Sequence, residues 1–117
     1  MPRMVRCGLI QTRNVLGPDR ELAAIKKAMI DRHVALIGEA ARKKVKILCL
    51  QEIFNGPYFG AEQETRWYDI TERVPDGPTV KLMQKLAKKH KLAIVVPIYE
   101  EEQAGVYYNT AAVTDAD

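Results

Sequence analysis

The chain has 117 residues, of which 47% are hydrophobic and 28% are charged, and its formal net charge is +3. These values suit one globular domain and exclude a disordered tail, a collagen-like repeat and a disulfide scaffold. No apolar stretch approaches the roughly 20 residues that a membrane helix needs, and the first residues hold too short an apolar run for a signal peptide. We therefore expect no membrane partner.

Strand and helix patterns alternate in the first half of the chain. A short apolar run at 5–11 predicts a strand, and Gly17-Pro18-Asp19 ends it and opens a helix. Apolar residues then recur at helical spacing up to Lys43-Lys44, where positive charge suits the helix dipole. The near-continuous apolar run at 45–50 predicts a second strand that is buried on both faces.

The second half begins with a long irregular segment at 55–77, which contains a predicted short helix near 61–67. Loops of this length in compact domains are usually functional. A second long helix starts at Asp76-Gly77-Pro78-Thr79, and strands at 92–99 and 106–114 follow it. The alternating order predicts an α/β fold with parallel crossovers and a final hairpin.

Two clusters of charge are predicted to face solvent. A run of lysines between 81 and 91 spreads over the side of the second helix opposite Val80, Met83 and Leu86, and Glu100-Glu101-Glu102 predicts an exposed turn. The lysine run also leaves open a nucleic-acid-binding domain, whose affinity would fall steeply with salt. Because charges of both signs are interspersed along the chain, we expect no nucleic-acid partner.

Neither the cysteines nor the histidines predict a metal site. Cys7 and Cys49 lie inside apolar runs and lack zinc-site spacing, so we expect buried, reduced thiols, which argue for a cytoplasmic protein and against a catalytic role. His33 and His90 lie on predicted helices without a partner at metal spacing. We expect both to be surface or boundary residues.

Glu52 is the residue best placed for chemistry. It follows the predicted strand at 45–50, and in α/β sheets ligands bind beyond the carboxyl ends of strands. Beside Ile53 and Phe54 its carboxylate is expected to be partly desolvated, a setting that makes a carboxylate a better proton acceptor near neutral pH. The alternative is that Glu52 caps a turn or pairs with a lysine.

Three further side chains are candidates for a substrate pocket. Tyr58 and Phe59 follow Gly56-Pro57 just beyond Glu52, where they either wall a pocket or pin the long loop to the sheet. Asn109 lies within the last predicted strand, where asparagine is uncommon. A specific hydrogen bond is therefore expected, and we favour bracing of the pocket over direct catalysis.

Several familiar sites are absent from the sequence. No Gly-x-Gly-x-x-Gly follows the first strand and no phosphate loop occurs, which disfavours dinucleotide and nucleoside triphosphate sites. The chain contains no serine, and so no Gly-x-Ser-x-Gly elbow. We expect no cofactor, and the residues supply a candidate base without a nucleophile.

A set of motifs in fixed order resembles one family over essentially the whole chain. The motifs are Val5-Arg6-Cys7-Gly8-Leu9-Ile10-Gln11, Ile47-Leu48-Cys49-Leu50-Gln51-Glu52-Ile53-Phe54, Gly56-Pro57-Tyr58-Phe59, Val74-Pro75-Asp76-Gly77-Pro78-Thr79, Val96-Pro97-Ile98-Tyr99-Glu100 and Tyr108-Asn109-Thr110-Ala111. They resemble the nitrilase superfamily, the carbon–nitrogen hydrolases. Within it, the chain is most similar to the β-ureidopropionase and N-carbamoyl-amino-acid amidohydrolase group.

The resemblance implies an α-β-β-α sandwich of which residues 1–117 form the N-terminal portion. It implies hydrolysis of a small amide or ureido substrate, such as N-carbamoyl-β-alanine, by a glutamate, a lysine and a cysteine, in a protein that associates with copies of itself. Glu52 matches the glutamate, the general base. The lysine and cysteine would lie beyond Asp117, since Cys7 and Cys49 occupy other positions.

The missing nucleophile leaves two interpretations. In the first, these residues belong to a longer hydrolase and are inactive by themselves, with one sheet face left uncovered. In the second, they form a catalytically silent α/β binding module.

Overall fold

The computed structural model describes residues 3–60, 62 and 64–117, whose strands form one four-stranded sheet. The strands are β1 (Cys7–Leu9), β2 (Ile47–Cys49), β3 (Ala93–Gln103) and β4 (Val106–Thr114), and they neighbour one another in that order. The helices are α1 (Leu22–Arg42), α2 (Pro78–His90) and a 3₁₀ helix (Thr65–Ile70). The pairings β1–β2 and β2–β3 are parallel, whereas β3 and β4 form an antiparallel hairpin. The predicted α/β order is confirmed.

Both α-helices cover the same face of the sheet. The buried residues of α1 are spaced four apart, and those of α2 follow the apolar face that its sequence predicts. They pack on the strand residues Leu48, Ile94 and Val96, which are 0–1% exposed. The lysines of α2 lie on its solvent side, as predicted. None of the described helices is long and apolar enough to cross a bilayer.

A lysine with left-handed backbone geometry follows the end of each α-helix. The φ angles are +63° at Lys44 and +54° at Lys91. The N–H of the next residue, Val45 or Leu92, bonds back to a carbonyl in the last helical turn at 3.1 Å, the arrangement of a Schellman cap. Both of these next residues are buried, so each cap leads the chain directly from a helix into the core.

The other face of the sheet is open around β1, β2 and the adjoining parts of β3 and β4 in the described residues. Leu9, Cys49, Val95 and Val113 share this face because they pair across the strands. Leu9 is 85% exposed and Val113 is 72% exposed. An apolar surface of this kind is typical of a face that packs against another layer.

The one-sided cover corrects two predictions about burial. Ile47 in β2 is 44% exposed, so β2 is buried on one face and not on both. Cys7 is exposed and Cys49 is half-buried, so the predicted burial of Cys7 is wrong. Both errors have one cause. An apolar strand sequence indicates that burial of a sheet face is favourable, but it does not show whether another layer covers that face.

Three element boundaries differ from the sequence prediction. Residues 18–20 form a turn and α1 begins only at Leu22. Instead of a helix at 61–67, the structure has the 3₁₀ helix at Thr65–Ile70, while residues 61 and 63 lie outside the described residues. The predicted turn at Glu100-Glu101-Glu102 belongs to β3, because the hairpin extends its pairing to Gln103 and Val106.

His33 is fully buried, so the predicted surface position is wrong. It belongs to the stripe Ile25, Met29, His33 and Ile37 on the inner face of α1. Its Nδ1 lies 2.8 Å from the Met29 carbonyl oxygen, and its ring contacts Phe54 edge-on at 4.9 Å between centroids. Its Nε2 has no partner among the described groups. Burial lowers the pKa of His33 below the usual 6.5.

The buried histidine predicts a loss of stability in mild acid. Because its pKa is lower in the folded protein, the unfolded chain binds this proton first as the pH falls. The free energy of unfolding should therefore be retained above pH 6.5 and decline as the pH drops from there toward the folded pKa. Urea unfolding at about pH 7.5 and about pH 5.5 measures this decline.

The matched variants separate His33 from the other titrating groups. His33→Gln should reduce the difference in stability between the two pH values, whereas His90→Gln should leave it unchanged. An equal pH dependence in wild type and His33→Gln would contradict the assignment.

Candidate active site

Glu52 lies just beyond the carboxyl end of β2, at the sheet edge where the loop after β1 also emerges. Its Oε1 accepts a hydrogen bond from Asn109 Nδ2 at 2.6 Å. The side chain is exposed, so the expected partial desolvation is wrong for the described residues. The reason is that the chain turns inward at Ile53 and Phe54, leaving Glu52 toward the uncovered side.

The turn after Glu52 depends on an unusual backbone conformation. Ile53 has φ +47°, and a left-handed conformation is rare for a β-branched residue and costs about 1–3 kcal/mol. Its side chain is only 4% exposed, and this burial offsets the strain. Ile53 thus separates solvent-facing Glu52 from Phe54, which is fully buried in the core.

A groove of about 440 Å³ opens beside Glu52. We call it the Glu52 groove, and its lining residues are Gln11, Thr12, Arg13, Asn14, Gln51, Glu52, Gly56 and Tyr58. The structure therefore brings Tyr58 beside Glu52. A larger groove of about 620 Å³ lies between β1 and the C-terminal half of α1, away from Glu52 and Asn109. The Glu52 groove is the better candidate because it contains the candidate base.

The loop after β1 was not singled out by the sequence. Gln51 Oε1 accepts a hydrogen bond from the Thr12 N–H at 2.6 Å, and Arg32 Nε donates to Thr12 Oγ1 at 3.1 Å. These contacts hold Thr12, and with it the polar segment 11–14, beside the end of β2 and beside α1. The signal available in the sequence was the polar run Gln-Thr-Arg-Asn directly after a strand.

Phe59 packs in an aromatic cluster and does not line the Glu52 groove. The cluster comprises Phe59, Trp67, Tyr68, Tyr99 and Tyr107. Phe59 lies 4.9 Å from Tyr99 between ring centroids, and Tyr99 pairs across the hairpin with Asn109. The cluster therefore pins the long loop beside the strand residue that binds Glu52.

The pKa values of two phenols in this cluster, those of Tyr99 and Tyr107, are raised. Burial, and then the neighbouring Tyr68 and Tyr107, raise the pKa of Tyr99 above its usual 10.0. Burial, and then the charge of Glu101, raise the pKa of Tyr107 in the same way. Both hydroxyls consequently stay protonated and remain hydrogen-bond donors.

Glu72 anchors the far end of the long loop. Its side chain is 5% exposed and forms an ion pair with Lys26 of α1. Its two carboxylate oxygens accept hydrogen bonds from the N–H and the hydroxyl of Thr79, in the first turn of α2. Its own backbone bonds to Tyr99 and Glu101 of β3. Glu72 thus joins α1 and α2 through its carboxylate and the sheet through its backbone.

No group of three or more histidine, cysteine or acidic side chains in the described ranges is arranged to hold a metal ion. Asn55 is also buried, at 0% exposure, and its amide atoms have no hydrogen-bond partner among the described groups. Asn55 follows Phe54 where the chain re-enters the core. It was not identified from the sequence.

Comparison with known proteins connects this arrangement to hydrolases. Residues 8–117 match the family model of the carbon-nitrogen hydrolases. A beta-ureidopropionase of Arabidopsis thaliana is 37% identical over 114 residues, which cover 96% of this chain and 28% of that protein. An N-carbamoylputrescine amidase of Oryza sativa subsp. japonica is 34% identical over 94 residues, which cover 80% of this chain and 31% of that protein.

A solved structure shares the fold. The crystal structure of a carbon-nitrogen hydrolase from Helicobacter pylori G27 superposes with a TM-score of 0.81 at 22% identity. The match covers 97% of this chain and 36% of that structure. The chain therefore spans about a third of the length of these three proteins.

The Glu72 anchor is expected to contribute measurably to stability. Glu72→Gln keeps the shape of the side chain but removes the charge that faces Lys26, so the free energy of unfolding should fall by roughly 1–3 kcal/mol. Urea unfolding measures the change. The control is Glu39→Gln, which breaks an exposed ion pair with Lys43 and should cost less than about 0.5 kcal/mol. Equal effects of the two variants would contradict the anchor.

Proposed function

The chain belongs to the carbon–nitrogen hydrolase family, and from this premise we propose that the full-length protein hydrolyses a non-peptide carbon–nitrogen bond with Glu52 as its general base. The observation that carries the proposal is the hydrogen bond from Asn109 to Glu52 at the edge of a polar groove. This bond fixes one carboxylate oxygen, and the other has no hydrogen-bond partner among the described residues, so that it can accept a proton. Geometry of this kind is what a general base requires.

We propose an N-carbamoyl amino acid, such as N-carbamoyl-β-alanine, as the substrate. The relative of 37% identity named a beta-ureidopropionase supports this class. A second relative acts by its name on another N-carbamoyl compound, so the two share a carbamoyl group. The polar lining of the Glu52 groove suits a small polar molecule of this class.

The proposed reaction uses one group from these residues and two from the rest of the protein. Glu52 takes the thiol proton of a cysteine, whose sulfur attacks the carbamoyl carbon. A lysine stabilises the oxyanion that develops. Glu52 then returns a proton to the departing amine and activates the water that releases the acyl group. The lysine and the cysteine are proposed to follow residue 117.

The other candidate residues take supporting roles in this proposal. Asn109 is a positioning residue, because it acts through Glu52. Tyr58, 66% exposed on the groove, forms a wall that faces substrate. Phe59 braces the site from the aromatic cluster through Tyr99.

The open sheet face supports a proposal about the domain organisation. We propose that residues 1–117 are the N-terminal portion of an α-β-β-α sandwich and that a second sheet of the same protein covers Leu9, Ile47 and Val113. Their exposure and the one-third coverage of the matched proteins support this arrangement. The complete protein is proposed to act in the cytoplasm as a homo-oligomer, and the free state of Cys7 and Cys49 agrees with a reducing compartment.

Glu52→Gln in the full-length protein tests the proposal. The amide keeps the size and the acceptor oxygen but cannot take up a proton, so turnover of N-carbamoyl-β-alanine should fall by about 10²–10⁴-fold. Release of β-alanine measures the rate. A loss of less than about tenfold would exclude the role of general base.

The 117-residue chain provides the second arm of this experiment. It contains a base without the other two catalytic groups, so the pure chain should release no β-alanine. Turnover by the isolated chain would refute the proposed triad. For the protein from its natural source, an intact chain mass near 13.2 kDa would instead favour the catalytically silent binding module, whereas a chain mass more than twice as large would favour the enzyme.

Asn109→Leu tests the positioning role. Leucine matches the size of asparagine but cannot donate to Glu52, so kcat should fall by roughly 10- to 100-fold while KM stays within about threefold. Steady-state kinetics of the full-length protein separate the two constants. Tyr108→Leu is the control, because Tyr108 is exposed on the adjacent position of β4, and it should leave kcat unchanged. A rise in KM with unchanged kcat would contradict the role.

A further inference from the structure

We propose that Arg13 is the specificity-determining residue that binds the carboxylate of the substrate in the Glu52 groove. This inference rests on the function proposed above and identifies the residue that binds the carboxylate end of the substrate. Arg13 lines the groove together with Glu52, although 39 positions separate them along the chain.

The residues just before Arg13 are tied to two neighbouring elements. The N–H of Thr12 donates to Gln51 Oε1 at 2.6 Å, and the hydroxyl of Thr12 accepts from Arg32 of α1 at 3.1 Å. The N–H of Ile10 donates to the Cys49 carbonyl at 2.9 Å. The segment that carries Arg13 is thus tied to β2 and to α1. A residue on an anchored segment can present its side chain to a ligand with little further loss of entropy.

The Glu52 groove contains one positive and one negative side chain, and they differ in their contacts. Arg13 and Glu52 are the charged members of its lining, and within the described residues Arg13 forms no ion pair. Glu52 instead has its Oε1 occupied by Asn109. The guanidinium is therefore available to an incoming anion, while the carboxylate is held for the reacting group.

A ureido acid matches this division of charge. Its carbamoyl end is neutral and belongs beside the general base, whereas its carboxylate end is an anion that a guanidinium can bind through two parallel hydrogen bonds. A carbamoyl compound that ends in an ammonium group would place two positive charges together, and this repulsion selects against it. The groove thus favours carbamoyl substrates that carry a carboxylate.

Arg13→Gln in the full-length protein tests the assignment with two substrates. The variant should raise KM for N-carbamoyl-β-alanine by roughly 10- to 100-fold with kcat within about threefold, because the lost contact is made equally in ground and transition states. KM for N-propylurea, which has the ureido group without a carboxylate, should change by less than about twofold. Arg13→Lys should retain part of the affinity. The matched control is Arg20→Gln, an exposed arginine outside the groove.

A binding measurement separates this inference from the proposed reaction. Calorimetry on the Glu52→Gln protein gives the Kd of N-carbamoyl-β-alanine without turnover, and adding Arg13→Gln should weaken it by the same 10- to 100-fold. If binding depends on Arg13 but the wild-type full-length protein hydrolyses no carbamoyl compound, the result would support the role of Arg13 and overturn the proposed reaction. Binding or KM values that do not depend on Arg13, or that change equally for both substrates, would overturn the role of Arg13.

Discussion

The register between β3 and β4 is the constraint on which both the core and the candidate site depend. Tyr99 pairs with Asn109, and the preceding Ile98 pairs with Thr110. Because side chains alternate along a strand, a slip of one residue would turn Asn109 toward the helices and away from Glu52. The hairpin turn has Gly105 at φ +82°, a conformation that glycine adopts without strain. The pairing that buries Ile98 therefore also delivers the amide that holds the base.

A second constraint holds the long loop that lies between the base and α2. Glu72 is buried and charged, a combination that is costly unless every oxygen is paired. Here Lys26 and Thr79 supply those partners from α1 and α2. The loop is thereby fixed at Glu72 and again at Phe59, which packs on Tyr99. The long loop, which contributes Gly56 and Tyr58 to the Glu52 groove, is therefore held by contacts with the helices and the sheet.

The two faces of the sheet differ in burial: the helices cover one face, and apolar side chains of the other are exposed in the described residues. On the helix side, Leu48, Ile94 and Val96 are almost completely removed from water. On the other side, Leu9 and Val113 remain exposed, although burial of such apolar area is worth about 25 cal/mol per Å². This asymmetry supports the proposal that a second sheet covers the open face. It also explains why Glu52 faces solvent in the described residues, since the candidate site lies toward that side.

The sequence by itself determined the order of elements, the final hairpin, the inner face of α2 and the apolar part of the inner face of α1, because hydrophobic periodicity and Gly-Pro turns are local signals. It also singled out Glu52, since a polar residue that follows an apolar strand can be recognised from the order of residues alone. Tertiary structure alone decided that Cys7 is exposed and that His33 is buried, because periodicity tells which residues share a face and not what covers it. It alone brought residues 13, 52 and 109 together, since parallel crossovers and strand register join positions that no sequence spacing connects.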